Sequence, residues 1–135
     1  MKLNTTSQYA IRIMEFISKD TNKLHNAKNI STELSIPYKY LTKIMTQLTN
    51  AKLIQSIRGR EGGYSLIKKT SSIRIIEILE AVKESMNEEN CLLGTGLCNH
   101  VNKCALHDAW KQPKKSIIEM FSETTLADMI KNKTI

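Results

Sequence analysis

The segment 27–50 most constrains the fold, because it holds two short amphipathic patterns separated by a tight-turn signal. Ala27–Leu34 places its apolar residues on one helical face. Ser35-Ile36-Pro37 follows, and a proline suits the first position of a new helix. Residues 37–50 carry a second apolar stripe at helical spacing, which comprises Leu41, Ile44, Met45 and Leu48. Two helices joined by so short a turn predict a helix-turn-helix.

A β-hairpin is predicted directly after this unit. Residues 53–57 and 64–67 alternate apolar and polar side chains as strands do, and the glycines between them permit a tight turn. The tip reads Arg58-Gly59-Arg60-Glu61-Gly62-Gly63 and so carries two arginines. A hairpin in this place is a wing, and residues 1–70 are therefore predicted to form a winged helix-turn-helix.

Further helices are expected on both sides of this winged unit. A helix over 6–18 is predicted, with Thr5 and Gln8 spaced as in a capping box. After the wing, Ser71 or Ser72 is expected to cap a helix that ends near residue 85. The inward residues of this second helix are predicted to be Ile75, Ile76, Leu79 and Val82.

The C-terminal part is predicted to be helical outside one long polar loop over 86–103. Beyond residue 104, Pro113 should kink or restart a helix. A short last helix is expected over Leu126–Lys131, capped by Thr124 or Thr125. The long helix has a coiled-coil-like seam of Leu106, Trp110, Pro113, Ile117 and Phe121. The predicted fold class is mainly α with a small β-hairpin wing, in one compact domain.

Positive charge is concentrated in the first half of the chain. Residues 1–70 hold twelve Lys and Arg against four Asp and Glu, whereas residues 71–135 hold eight against nine. Five basic residues and no acidic one lie between Ile36 and Arg60. Together with the fold pattern, this charge predicts a surface that binds a polyanion.

Several classes of protein are not expected from the sequence. No apolar run approaches the roughly 18 residues of a membrane span, and the start lacks a signal-peptide pattern, so we expect no membrane partner and a cytoplasmic location. We find no phosphate loop, nucleophile elbow or spaced acid–base pair, so we do not expect an enzyme.

All three cysteines lie in one stretch, as Cys91, Cys98 and Cys104, and His107 follows three residues after the last of them. Thiolates are soft ligands that suit iron–sulfur clusters, zinc and copper. Three Cys and one further ligand can hold an iron–sulfur cluster, either [2Fe–2S] or [4Fe–4S]. The same four side chains suit tetrahedral zinc, and the thiols alone suit a disulfide switch.

Several pieces of the chain, taken in order, resemble the Rrf-two family of bacterial winged-helix regulators. This family includes iron–sulfur cluster regulators and nitric-oxide-sensing repressors. The pieces are MKLNTTSQYAIR, IPYKYLTKIMTQL, AKLIQSIRGREGGYSL, SSIRIIEILEAV, the cysteine trio, CALHDAW and TTLADMI. They cover nearly the whole chain, and the wing sequence and the cysteine trio are specific.

The resemblance implies a homodimeric transcription repressor that binds near-palindromic double-stranded DNA. Residues 71–135 would form a helical sensor and dimerisation region, with a C-terminal dimerisation helix and a cluster-binding loop over 86–104. The cluster ligands implied by the match are Cys91, Cys98, Cys104 and His107.

The resemblance also implies which residues bind DNA. The second helix of the helix-turn-helix would enter the major groove, which displays a unique pattern of donors and acceptors. Its exposed recognition positions match Tyr38, Lys39, Thr42 and Lys43. Arg58 matches the wing arginine that enters the minor groove, with Gly59 and Arg60 beside it. Tyr40 is expected either to pack on the helix flank or to face DNA.

Two departures from the family pattern leave alternatives open. Six residues separate Cys91 from Cys98, where relatives commonly have five, so the cluster type is not fixed. Gln8 stands where some relatives supply a carboxylate ligand, and an amide is a poor ligand for iron. A zinc-dependent or thiol–disulfide regulator of the same fold, and a redox or metal protein that binds no DNA, remain alternative hypotheses.

Overall fold

The structure is a computed structural model, and it describes residues 3–84 and 105–132. This part of the chain is mainly helical, with a single two-stranded hairpin between the third and fourth helices. The elements are α1 (Thr5–Ser18), α2 (Ala27–Leu34), α3 (Tyr38–Asn50), β1 (Ile54–Ile57), β2 (Gly63–Leu66), a 3₁₀ turn (Thr70–Ser72), α4 (Ile75–Ala81), α5 (His107–Glu123) and α6 (Leu126–Lys131). The predicted fold class is confirmed.

Helices α2 and α3 form the predicted helix-turn-helix. The turn between them depends on Ser35, whose backbone is left-handed with φ of +54°, and on the Ile36 amide, which donates to the carbonyl of Ser31 at 3.1 Å. Pro37 precedes the first helical residue rather than occupying it, because its carbonyl accepts the first helical hydrogen bond, from the Leu41 amide at 2.9 Å. Helix α3 therefore begins one residue later than predicted.

Two other helix starts differ from the prediction. The cap of α1 is Asn4, whose side chain accepts from the Ser7 amide at 2.8 Å, so the predicted capping box of Thr5 and Gln8 is wrong. The Gln8 side chain donates instead to the carbonyl of Leu3 at 2.6 Å. Several neighbouring residues are of types that cap helices, and the local sequence does not show which of them caps α1.

The predicted cap of α4 at Ser71 or Ser72 is also wrong, because both residues lie in the 3₁₀ turn. Helix α4 begins at Ile75, and the Glu77 carboxylate accepts from the Arg74 amide at 2.8 Å. Burial acts to raise the pKa of Glu77, but this amide and the Lys68 ammonium at 3.0 Å outweigh it and lower the pKa below its ordinary value of 4.5.

The core draws on both halves of the chain. The buried stripe of α3 packs with α1 and α4, and Leu126, the first residue of α6, belongs to the same core. The predicted core positions are confirmed. The fully buried large side chains include Ile13, Met14, Ile17, Ile30, Ile36, Leu41, Ile44, Met45, Leu48, Leu53, Ile54 and Ile73. Since α1 contacts α2, α3, α4 and α6, it is the central element of the fold.

Helix α5 differs from the others because none of its residues is buried. It runs through Pro113 without a break, so of the two predicted effects of this proline, a kink or a restart, the restart is wrong. Helix α6 has the predicted bounds, and the Thr125 hydroxyl caps it by accepting from the Asp128 amide at 3.1 Å. No helix within 3–84 or 105–132 has the length and apolar character needed to cross a membrane.

Candidate nucleic-acid interface

The outer face of α3 carries the residues predicted to recognise DNA. Its apolar stripe is buried, which leaves the intervening polar residues outside. Tyr38 is 54% exposed, Lys39 and Lys43 are exposed, and Thr42 is half-buried. The Thr42 hydroxyl donates to the carbonyl of Lys39 at 3.0 Å. The helix thus presents two ammonium groups, a phenol and a hydroxyl on its polar side.

The wing carries Arg58, Gly59 and Arg60 at its exposed tip. Strands β1 and β2 pair antiparallel, with Ile54 opposite Leu66 and Ile57 opposite Gly63. Gly59 has φ of +124°, a backbone conformation that side chains strongly disfavour. The turn is closed by the Gly62 amide, which donates to the carbonyl of Gly59 at 3.1 Å.

Strand β2 of the wing is fastened to the loop before α2 by His25, close to the turn of the hairpin. The His25 amide donates to the carbonyl of Tyr64 at 3.0 Å, and the Tyr64 amide donates back to the carbonyl of His25 at 2.8 Å. The imidazole is 3% exposed, its Nε2 lies 2.8 Å from the carbonyl of Asp20, and its ring meets Phe16 edge-on. No role was predicted for His25 from the sequence, because backbone hydrogen bonds between residues far apart in the chain leave no local sequence pattern.

The basic residues of this surface have no anionic partner within residues 3–84 and 105–132. Among the described residues, ion pairs join Lys19 to Glu15 and join Glu77 to Lys68 and Arg74. None involves the basic side chains that α3, the following turn and the wing present, namely Lys39, Lys43, Lys52, Arg58 and Arg60. Their positive field is therefore available to an external anion.

Tyr40 packs on the helix flank, which was one of the two expectations. Its ring meets Tyr9 of α1 edge-on with 5.6 Å between centroids, and its hydroxyl contacts the hydroxyl of Thr6. Two residues before Thr6, the side chain of Asn4, the cap of α1, contacts the carboxylate of Glu84. The first turn of α1 therefore touches both the recognition helix and the residue that precedes 85–104.

The predicted cysteine centre lies mostly outside the described residues. Cys91, Cys98 and Cys104 fall within 85–104, and His107 is the half-buried first residue of α5. Within 3–84 and 105–132 no three His, Cys, Asp or Glu side chains are grouped to hold a metal ion. Three thiolates, from Cys91, Cys98 and Cys104, with the His107 imidazole are a donor set that fits an iron–sulfur cluster.

Comparisons with known proteins agree with this fold. The family model described as "Rrf2: Iron-dependent Transcriptional regulator" matches residues 3–132. The HTH-type transcriptional regulator IscR of Klebsiella pneumoniae (strain 342) is 31% identical over 137 residues, which cover 100% of this chain and 83% of that relative.

Two solved structures show the same fold. CymR, the global cysteine regulator of B. subtilis, superposes with a TM-score of 0.83 at 24% identity, over 98% of both chains. IscR of T. potens superposes with a TM-score of 0.77 at 24% identity, over 98% of this chain and 88% of that one. The regulators of this family are not enzymes. The matched range, the identity to IscR and the winged helix-turn-helix together show that this chain belongs to the Rrf2 family of transcription regulators.

Proposed function

We propose that this protein is a homodimeric repressor in the cytoplasm that binds near-palindromic double-stranded DNA, and that an iron–sulfur cluster sets its affinity. The observation that carries the proposal is the exposed surface of α3 and the wing, whose basic side chains have no partner in the described chain. Residues 1–70 supply this surface, and residues 71–135 supply sensing and dimerisation.

In the proposed complex α3 lies in the major groove. Lys39 and Lys43 face the bases and the adjoining phosphates because they lie opposite the buried stripe, and Thr42 joins them from beside the stripe. Arg58 enters the neighbouring minor groove, with Gly59 and Arg60 against the backbone, since a narrow minor groove concentrates negative potential. The His25–Tyr64 backbone pair fixes the wing relative to the helix-turn-helix.

The cluster would be held by Cys91, Cys98, Cys104 and His107. When bound, it supplies a centre whose charge and integrity respond to oxygen, nitric oxide, redox state or iron supply. An imidazole in place of a fourth thiolate would raise the reduction potential. The donor set accommodates either [2Fe–2S] or [4Fe–4S].

A physical route from the cluster to DNA begins at Glu84. This residue directly precedes 85–104 and contacts Asn4, which caps α1. Two residues further along the chain, Thr6 contacts Tyr40 of α3. Ordering or releasing the cysteine segment would therefore move the first turn of α1, and with it the tilt of the recognition helix.

The dimer would form through α5. This helix carries Leu106 at its start and Met120 near its end, which are 41% and 52% exposed, and none of its residues is buried. Its remaining large apolar residues, Trp110, Ile117, Ile118 and Phe121, are half-buried. A partner helix would cover this apolar strip and place the two winged units against successive half-sites.

A thiol–disulfide regulator of the same fold is the second candidate. It is favoured by the likeness in fold to CymR, described as a global cysteine regulator. In this case the three cysteines would act as thiols, without metal. Both candidates use the same DNA-binding surface, so metal analysis rather than DNA binding separates them.

Replacement of Arg58 tests the DNA-binding part of the proposal. Arg58→Ala should cost about 1–3 kcal/mol in binding to a duplex that the wild type selects from a random pool. Lys115→Ala removes one positive charge from an exposed position on α5, outside the winged unit, and should leave affinity unchanged. Equal affinities for wild type and Arg58→Ala, measured by fluorescence anisotropy, would refute the wing assignment.

Anaerobic purification tests the cluster. We expect a coloured protein with iron and acid-labile sulfide, and loss of both when Cys98 is replaced by Ser. An iron-free protein that carries zinc would refute the cluster proposal. An iron-free protein without any metal, whose cysteines form a reversible disulfide, would establish the second candidate.

A further inference from the structure

A groove between α2 and the start of α3 has no role in the function proposed above. Its volume is about 560 Å³, a size that ordinarily admits a small ligand. The residues that line it are Lys28, Ser31 and Thr32 of α2 and Tyr38 of α3. All four side chains are polar or carry a polar tip, so the groove favours a hydrogen-bonding ligand over an apolar one.

The free donors in this groove can be identified. The Ser31 hydroxyl donates to the carbonyl of Ile36, and the Thr32 hydroxyl donates to the carbonyl of Lys28 at 3.0 Å, so both hydroxyl protons are already used. The Lys28 ammonium and the Tyr38 hydroxyl have no partner among the described residues. One cation and one neutral donor therefore remain for a ligand, which must accept hydrogen bonds and carry negative charge.

The acidic residue of α2 lies away from the groove. At roughly 100° per residue, Glu33 is about 140° around the helix from Lys28, whereas Thr32 is only about 40° from it. The buried Ile30 and half-buried Leu34 occupy a third side, against the core. No carboxylate from the described part of the chain lines the groove, so none there competes with an external anion for Lys28.

We propose that Lys28 and Tyr38 clamp one DNA phosphodiester at the rim of the major groove. The proposal rests on the DNA-binding function, in which α3 lies in the groove and α2 crosses the backbone beside it. Tyr38, expected from the sequence at a recognition position, thus contacts the backbone and does not read a base. The clamp positions α3 in the groove without contributing to sequence choice.

Two variants separate the roles of these residues. Lys28→Gln removes a cation that would release a counterion from the DNA on binding. The slope of log affinity against log salt concentration should therefore become less steep, by about 0.9 per clamp and about 1.8 for a dimer with two clamps. Tyr38→Phe removes only a neutral donor, so it should weaken binding with the slope unchanged. Both variants should keep the wild-type ratio of affinities for selected and scrambled duplexes, since neither touches a base.

The matched control is Lys19→Gln. Lys19 is exposed at the end of α1 and lies beside Leu34, on a different side of α2 from the groove. Its ammonium already pairs with the Glu15 carboxylate at 3.5 Å. Its loss should leave the salt slope unchanged. Fluorescence anisotropy measures the affinity of each protein for one selected and one scrambled duplex. Repeating it over a series of salt concentrations gives the salt slope and the ratio of the two affinities.

The outcomes distinguish the clamp from the function on which it rests. If the wild type binds both duplexes and Lys28→Gln keeps the full salt slope, the clamp is wrong and DNA binding stands. If Tyr38→Phe lowers the ratio of selected to scrambled affinity, Tyr38 reads a base and the clamp is wrong. A wild type that binds neither duplex overturns the DNA-binding function and the clamp together.

Discussion

Replacing Gly63 by Ala should release strand β2 of the wing from the loop before α2. A Cβ at this position would lie 2.8 Å from the carbonyl oxygen of His25 and 2.9 Å from its carbonyl carbon. Both neighbours are backbone atoms, so the two segments must separate. The separation would break the hydrogen bonds between His25 and Tyr64, at 3.0 and 2.8 Å.

Each of these bonds contributes about 1 kcal/mol net, so Gly63→Ala should lower the free energy of unfolding by about 2 kcal/mol. For a chain of this length that is a drop of roughly 6–10 °C in the midpoint of thermal unfolding. Ser65→Ala changes a half-buried residue of the same strand without a clash, and should stay within about 0.5 kcal/mol of wild type.

The same variant tests whether the wing is held in place for DNA. A released wing no longer delivers Arg58 to the minor groove, so Arg58→Ala should cost less affinity in the Gly63→Ala background than in wild type. The four proteins of this cycle are the wild type, the two single variants and the double variant. Urea unfolding measures the stability of each, and fluorescence anisotropy measures its affinity for DNA. Unchanged stability of Gly63→Ala, or full additivity of the two substitutions on DNA binding, would refute the proposed anchoring.

Three further outcomes are expected. Leu48→Ala empties a fully buried site and should cost about 2–5 kcal/mol in urea unfolding, whereas Thr46→Ala on the exposed face should cost little. Because the folded pKa of Glu77 is lowered, its contribution to stability is complete above its ordinary value of 4.5 and is lost as the pH falls through the lowered value. Glu77→Gln should therefore lose less stability than wild type on acidification, measured by thermal unfolding at a series of pH values. Tyr40→Phe removes the hydroxyl contact with Thr6 and should reduce the coupling between cluster and DNA affinity by about 0.5–2 kcal/mol, without abolishing DNA binding.

Local signals were enough to predict the helix-turn-helix. Helix α2 and helix α6 have the predicted bounds, because each starts after a side chain that can cap and ends where its apolar period ends. The buried stripe of α3 followed from periodicity alone, and so did the set of residues left on its outer face. The wing followed from alternation and from glycines in the turn.

Long-range pairing explains why the predicted start of α4 was wrong. Helix α4 is held at Ile75, whose amide donates to the carbonyl of Thr124 at 2.9 Å, while the Leu126 amide donates to Ile73 at 2.8 Å. These bonds join segments about fifty residues apart, and no pattern near Ser71 or Ser72 indicates them. For the same reason, the anchoring of the wing by His25 was not predicted, and the position of Tyr40 was left between two alternatives.

The affinity of one anaerobic preparation for a selected duplex, measured before and after removal of its iron and sulfide, tests the central claim most directly. If the cluster sets DNA affinity, we predict a change of about 5- to 150-fold, the range of an ordinary coupling between two sites. The Cys98→Ser protein, which should hold no cluster, should match the cluster-free preparation. A protein that contains iron and sulfide but binds the duplex equally well in both states would contradict the claim.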